Sequence, residues 1–283
     1  MTQRQAPTIR QRRFGAELRR LREATGMSAP AAAELLGSDR TMISNIEAGR
    51  FGISEERLRR LASIYECDDS ELIDTLAAMT GGRRVGWWDE YRGKIPPGFL
   101  DVSELEHGAT RLRTVQTAHL PGLFHTEDHA RATFELPLPR LPRLEVELRV
   151  AHRMARQSVI TGDAAIPYVG VIHEAALRMQ LGGRDIARAQ LRHLVDAGER
   201  PNITLRVIPF TAGGFALLDC SVLYAEASNH RLDTVQMDAP TGAVFIDSPT
   251  QLANFRTRLD MAEQVALTPA GSREFIHTIA KEL

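Results

Sequence analysis

The chain has 283 residues, a formal net charge of −1, 43% hydrophobic and 25% charged residues, the composition of a soluble globular protein long enough for two domains. No apolar run reaches the roughly 18 residues that span a bilayer, and the N-terminus lacks the apolar core of a signal peptide, so a cytoplasmic location without a membrane role is expected. Cys67 and Cys220 are too few and too separated for a disulfide framework or a zinc site, and each reads as a small buried hydrophobe.

Near neutrality hides an uneven charge distribution. Residues 1–22 carry seven arginines against the single acid Glu17, whereas residues 66–74 are acidic; a local basic footprint is what nucleic-acid binding requires. Lys94 and Lys281 are the only lysines, so arginine supplies nearly all the basic charge, which suits phosphate recognition.

Phe14, Leu18 and Leu21 have the spacing of an amphipathic first helix that ends at Gly26, with Arg19, Arg20 and Arg22 assigned to the outer face. Ser28 caps a second helix with an early Pro30, and Ala31, Ala32, Ala33, Leu35 and Leu36 allow close helix approach. Gly37 makes a tight turn. Ser38 is then read as the cap of a third helix, Ile43 and Ile46 facing inward and Arg40, Thr41, Ser44 and Asn45 outward. Leu58, Leu61 and Tyr65, then Leu72 and Leu76, complete a five-helix module. Two helices joined by a short glycine turn, the second presenting polar groups from its start, is how a helix-turn-helix enters the major groove.

On these residues, 14–65 resemble the xenobiotic-response-element (XRE) class of helix-turn-helix regulators, through Leu18–Arg22, Leu36-Gly37-Ser38, Ile43–Glu47 and Gly49-Arg50. The resemblance implies base reading by Arg40, Thr41 and Ser44, with Asn45 beside them. A bidentate Arg40–guanine pair or an Asn45–adenine pair would each discriminate by roughly 1–3 kcal/mol. Arg10, Arg12, Arg13 and Arg50, with Ser28 and Ser38, are assigned to phosphates, which supply affinity and salt dependence without sequence information. One departure is Ala29, where many members carry a glutamine that braces a phosphate and the recognition helix.

A domain boundary and hinge are expected at Thr80–Arg84, dividing a DNA-binding domain (1–82) from a second domain (83–283). Trp87, Trp88 and Tyr91 then read as packing aromatics or as a ligand-stacking cage, ahead of a turn at Pro96-Pro97-Gly98. Helices are predicted at 102–109, 128–134, 143–160, 185–197, 251–266 and 272–281, with strands at 115–120, 168–172, 203–208, 222–225, 235–237 and 243–246. The proline-rich run 136–142 is an extended loop. On the 143–160 helix, Leu144, Leu148, Ala151 and Ala155 are placed inward and the arginines outward. The fold class is therefore an all-α N-terminal domain followed by an α+β domain with a mixed sheet and flanking helices.

This second half resembles the C-terminal domain of actinobacterial XRE-type regulators of the Scr and WhiJ kind, a domain of unknown function. The resemblance rests on Trp87-Trp88, Leu105-Glu106, Pro121–Leu123, Glu127-Asp128, Ala130–Ala132, Arg153, Arg156-Gln157, Glu174–Arg178, Gly182-Gly183, Gln190-Leu191, Leu194, Asn202-Ile203 and Ile208–Phe210. It implies a gene for a small partner protein next door, in an antitoxin-like arrangement. His125 and His129 stand where the family usually has glutamine and tyrosine.

Those histidines, four apart, are candidates with Trp87 and Trp88 for ligand or partner contact, but the His-Glu-x-x-His spacing of a zinc hydrolase is absent and no metal or cofactor is expected. His173-Glu174 has leucine where a second zinc ligand is needed. No nucleophile elbow accompanies Asp219-Cys220-Ser221, Gly182-Gly183 and Gly213-Gly214 read as turns, and no enzyme is expected. The sequence thus predicts a homodimeric regulator of double-stranded DNA whose larger domain receives a small protein or a small molecule. An antitoxin-like sequestering module that autoregulates is the competing reading.

Overall fold

The computed structural model describes residues 6–81, 85–239 and 242–283, and the chain divides into two compact units. The first comprises the chain up to Trp87 together with Ala227–Asp233. Of the expected hinge, Gly82, Arg83 and Arg84 lie outside the described residues.

Five helices form this unit: α1 Ile9–Ala24, α2 Ala29–Leu35, α3 Met42–Glu47, α4 Glu55–Ile64 and α5 Ser70–Ala77. Side-chain caps start four of them. Thr8 and Gln11 make a reciprocal capping box on α1, and Ser28, Ser54 and Asp69 accept from the amides of Ala31, Arg57 and Leu72. The core joins Phe14, Leu18 and Leu21 of α1 to Ala32 and Ala33, Ile43 and Ile46, Leu58 and Leu61, and Leu72 and Leu76, with Leu36 and Tyr65 at helix ends. Leu232, from the segment that joins the unit from far along the chain, is buried in the same core.

Three expectations for this unit are corrected. The third helix starts at Met42, and Ser38 does not cap it. The amide of Gly37 bonds the Glu34 carbonyl at 2.9 Å and that of Ser38 bonds the Ala33 carbonyl at 2.8 Å, so Ser38 completes a left-handed glycine cap at the end of α2. Leu35 points outward, and Arg22 is buried rather than on the outer face.

The second unit carries a six-stranded mixed sheet in the order β3-β2-β1-β4-β5-β6, with β1 Arg111–Gln116, β2 Tyr168–His173, β3 Ile203–Ile208, β4 Val222–Glu226, β5 Thr234–Ala239 and β6 Gly242–Ile246. β1, β2 and β3 run parallel, and β4, β5 and β6 continue antiparallel from β1. Its helices are α6 Pro97–Gly108, α7 Glu127–Phe134, α8 Arg143–Arg156, α9 Ser158–Thr161, α10 Glu174–Arg178, α11 Arg184–Ala197, α12 Pro249–Val265 and α13 Pro269–Glu282.

Alternation along the strands makes two cores. Leu112, Tyr168, Ile172, Leu205 and Leu223 pack with Leu191 and Leu194 of α11 and Ile276 and Ile279 of α13. Val115, Val171, Val222, Tyr224 and Val235 pack with Leu252, Leu259 and Ala262 of α12. A satellite cluster joins Ala130 and Phe134 of α7 to Val146 and Val150 of α8.

Here too the structure amends the sequence reading. Pro97 begins α6 instead of a turn, since its fixed φ and missing N–H suit a first helical position. β1 lies four residues earlier than expected because Arg113 is neutralised inside the fold, 2.6 Å from Asp260 and 2.7 Å from Glu263 of α12. α8 buries Val146, Val150 and His152, while Leu144 is 73% exposed and Ala151 is exposed. Among the described residues no helix is long and apolar enough to cross a membrane.

Candidate nucleic-acid interface

The inner side of α3 is held by backbone as much as by its isoleucines. A Cβ on Gly15 of α1 would lie 2.4 Å from the Glu47 carbonyl oxygen and 2.6 Å from that of Ile46, so only glycine lets α1 approach the end of α3. Just beyond α3, Gly49 takes φ +71° against the Gln11 backbone.

A two-pronged ion pair completes the clamp. Arg22 Nε donates to Glu47 Oε1 at 2.6 Å and Nη2 to Oε2 at 2.9 Å, while Nη1 donates to the Met27 carbonyl at 2.6 Å. Both side chains are about nine-tenths buried. A shielded bidentate pair fixes orientation well even where its net stabilisation is small. The hydrogen bonds that Arg22 donates to Glu47 raise the Arg22 pKa further. Sequence reasoning missed this pair although a signal exists: Arg22 continues the Phe14–Leu18 stripe, and Glu47 lies one turn after Ile43.

With its inner side fixed, α3 turns the expected base readers outward. Arg40, Thr41 and Ser44 are exposed and Asn45 is partly exposed. Asp39 Oδ1 accepts from the Thr41 amide at 2.9 Å and its hydroxyl at 3.0 Å, bonds that hold the carboxyl below its usual range and shape the approach to α3. Asn45 Nδ2 donates to the Thr41 carbonyl at 3.1 Å. That bond uses one of the two Nδ2 hydrogens and leaves the other, with Oδ1, for a base, while Arg40 and Ser44 have no side-chain hydrogen-bond partner among the described residues.

The six phosphate candidates separate. Arg12 and Arg50 are exposed, as is Ser28 at the start of α2, and Ser38 is partly exposed. Arg10 donates to the carbonyls of Ala78 at 2.8 Å and Met79 at 3.0 Å, where its charge also suits the helix end. Arg13 is corrected outright. It is 4% exposed, donates to the carbonyls of Arg231 and Asp233, and lies 3.6 Å from buried Glu17, so it packs the unit and does not face a phosphate.

The candidate ligand or partner contacts are mostly interior. Trp88 is 2% exposed, its ring 5.1 Å from that of His107, and Trp87 is partly buried. His125 and His129 are buried with rings 4.6 Å apart and edge-on. Burial lowers both pKa values, that of His129 to about 4, with the nearby Arg153 acting in the same direction. Arg153 Nη1 lies 3.1 Å from His125 Nδ1, and His125 Nε2 lies 3.0 Å from the Leu120 carbonyl. Trp88 is thus packed in the interior, and the histidines belong to a buried polar cluster rather than a surface.

Residues 13–75 match the family described as a helix-turn-helix domain, which makes α1–α5 a DNA-binding unit of a transcription regulator. No curated protein and no solved structure matches the chain. Residues 99–278, most of the second unit and more than half of the sequence, match a domain of unknown function (DUF5753), and the chain belongs to the family that this domain defines.

Proposed function

We propose that the protein is a sequence-specific transcription regulator of the XRE class that acts as a homodimer on a palindromic operator, placing two α3 helices in major grooves about 34 Å apart. The observation that carries this reading is the clamp on the inner side of α3, which leaves Arg40, Thr41, Ser44 and Asn45 along its outer edge. Arg12 and Arg50, with Ser28 and Ser38, serve as phosphate contacts.

The DUF5753 unit dimerises and takes the controlling signal, by binding and not by catalysis. A small protein encoded next door is the signal in the Scr/WhiJ-like, antitoxin-like version of this reading. A small molecule is the second version, supported by the buried cluster around Arg153. Either signal changes DNA affinity by as much as it prefers one state of the regulator over the other.

Binding of the full-length protein to genomic fragments that include its own upstream region, with and without the product of a neighbouring small gene, tests the proposal. Selective binding altered by that product supports partner control, and selective binding indifferent to it supports a small-molecule signal. Absence of selective binding overturns the regulator reading.

A further inference from the structure

The polar cluster between α7, α8 and the turn Gly122–Phe124 has no task in reading DNA. Its centre is Arg153, whose guanidinium carbon lies 4.5 Å from the centre of the Phe134 ring and beside Gly122, where a side-chain carbon would be 3.6 Å away. Nη1 meets a histidine nitrogen, not an acid. Nε is sealed from solvent without an acceptor among the described residues.

The neighbouring acid is already taken. One turn along α8, Arg156 holds Glu106 through Nε–Oε2 at 2.9 Å and Nη2–Oε1 at 2.5 Å, and both side chains are buried. Asp238 acts on both arginines only from beyond ion-pair distance, its own carboxylate largely in water. Arg153 therefore has no carboxylate within ion-pair distance among the described residues. Burial and Arg156 together push its pKa down to about 9, which still leaves it charged at neutral pH.

The flanking histidines supply no anion. His129, 4% exposed, has Nδ1 buried and without a partner among the described residues. A guanidinium beside two imidazoles repels a metal cation and attracts an oxyanion. Its planar fork matches a carboxylate or phosphate in a bidentate manner. Arg153 as a whole residue is only partly buried.

We propose that Arg153, backed by His125 and His129, is the anchor of a binding site for a small oxyanion, an organic carboxylate or a phosphate. The guanidinium carries the charge recognition, and the face of Phe134 and the neutral imidazoles shape the site around it. This inference deepens the small-molecule version of the function above. It concerns ligand binding alone, so its outcome is separate from that of the DNA experiment.

The test is thermal unfolding and calorimetric titration of the full-length protein with sodium benzoate and, separately, inorganic phosphate, against sodium chloride at matched ionic strength near pH 7.5. At least one oxyanion is expected to raise the melting temperature saturably beyond the chloride control, as a ligand of the native state does. Benzoate alone identifies a carboxylate site and phosphate alone a phosphate site. Arg153→Lys, which keeps the charge but loses the fork, should weaken binding at least tenfold, and Arg153→Gln should abolish it. The lysine variant keeps the test valid if the glutamine variant fails to fold. The His129 imidazole resonances should shift during titration of the wild type and stay fixed in the lysine variant. No effect from either oxyanion, or equal binding by the lysine variant and the wild type, overturns the proposal.

Discussion

Arg40 and Arg12 are both exposed arginines, yet their positions give them different work. Arg40 leads into α3, where the proposed docking would bring a side chain to base edges; Arg12 lies on α1, which that docking would set against phosphates. Arg40→Ala is expected to lose roughly 1–3 kcal/mol of discrimination at one base position in each half-site. Arg12→Ala should weaken all sequences alike and flatten the salt dependence of binding by about one counterion. A binding panel of single-base operator variants at two salt concentrations decides this, and parallel losses for both variants would refute the assignment. A second single-residue test follows from His129. Burial lowers its pKa to about 4, so the unfolded chain takes up a proton near pH 6.5 that the folded chain refuses until well below pH 5. Stability conferred by the neutral ring is thus lost as pH falls through this window. Between pH 7 and pH 5 His129 alone should lower the unfolding free energy by about 2 kcal/mol, while His129→Gln should remove that share of the slope. Denaturant titrations at the two pH values measure it, and parallel profiles for wild type and variant count against the burial argument. His125 and His152, both lowered first by burial, add to the same trend.

The α1–α3 crossing shows what one missing methyl does for an element. Gly15→Ala sets a carbon against two backbone carbonyls that cannot rotate away, so α3 must lift off α1. Overpacking of this kind costs typically 1–3 kcal/mol; the variant should melt earlier and bind DNA more weakly at all sequences. Gly108→Ala at the end of α6 is the control, because its new carbon meets nothing within 4 Å, and it should be neutral or slightly stabilising. If the two substitutions behave alike in melting and DNA binding, the glycine contact does not position α3. These crossings also mark where the sequence was readable and where it was not. β3 coincides with its predicted bounds, since Ile203–Ile208 alternates cleanly and Pro209 ends it. β1 was displaced because Arg111 and Arg113 disguise a central strand, the first met by Glu226 of β4 and the second by Asp260 and Glu263 of α12, far along the chain. The apolar face of α8 was misassigned for a similar reason, because Arg153 and Arg156 turn inward beside His152. The outward set Arg40, Thr41, Ser44 and Asn45 was legible from the two isoleucines opposite it, while the start of α3 was not, since Ser38 is used to end α2.

The least legible feature is that the DNA-binding unit is assembled from two distant stretches of chain. Ala227–Asp233 has the asparagine, serine and aspartate of an ordinary connection between β4 and β5, and locally it is one: Asn229 caps the turn His230–Leu232, and Asp233 accepts from the Ala227 amide at 2.9 Å. Nothing local tells that Leu232 enters the core of Leu18 and Leu58, that Arg231 pairs with Glu17 at 2.7 Å, or that Arg13 finds carbonyl partners there. The chain consequently passes between the two units at 87/88, 226/227 and 233/234. A fragment of residues 1–87 keeps all five helices but exposes the surface that Leu232 covers and leaves Arg13 and Glu17 without those partners. Loss of one buried leucine removes about 2–3 kcal/mol, and unmet buried polar groups cost about 1–3 kcal/mol each. The fragment should therefore be less stable than the same unit in the full chain by roughly 3 kcal/mol or more, a large share of what a small domain has. Leu232→Ala in the full chain should destabilise the helical unit by about 2–5 kcal/mol, although the substitution lies more than 150 residues from α5 in sequence. Denaturant unfolding followed by backbone amide signals of α1 and α4 measures both effects. Equal stability of the fragment and the full chain's helical unit would mean that residues 227–233 merely rest on a self-sufficient domain. A deficit would mean that the recognition helix is held, through α1, by a segment strung between two strands of the sheet, so that strain in β4 or β5 has a covalent route to the part that reads DNA.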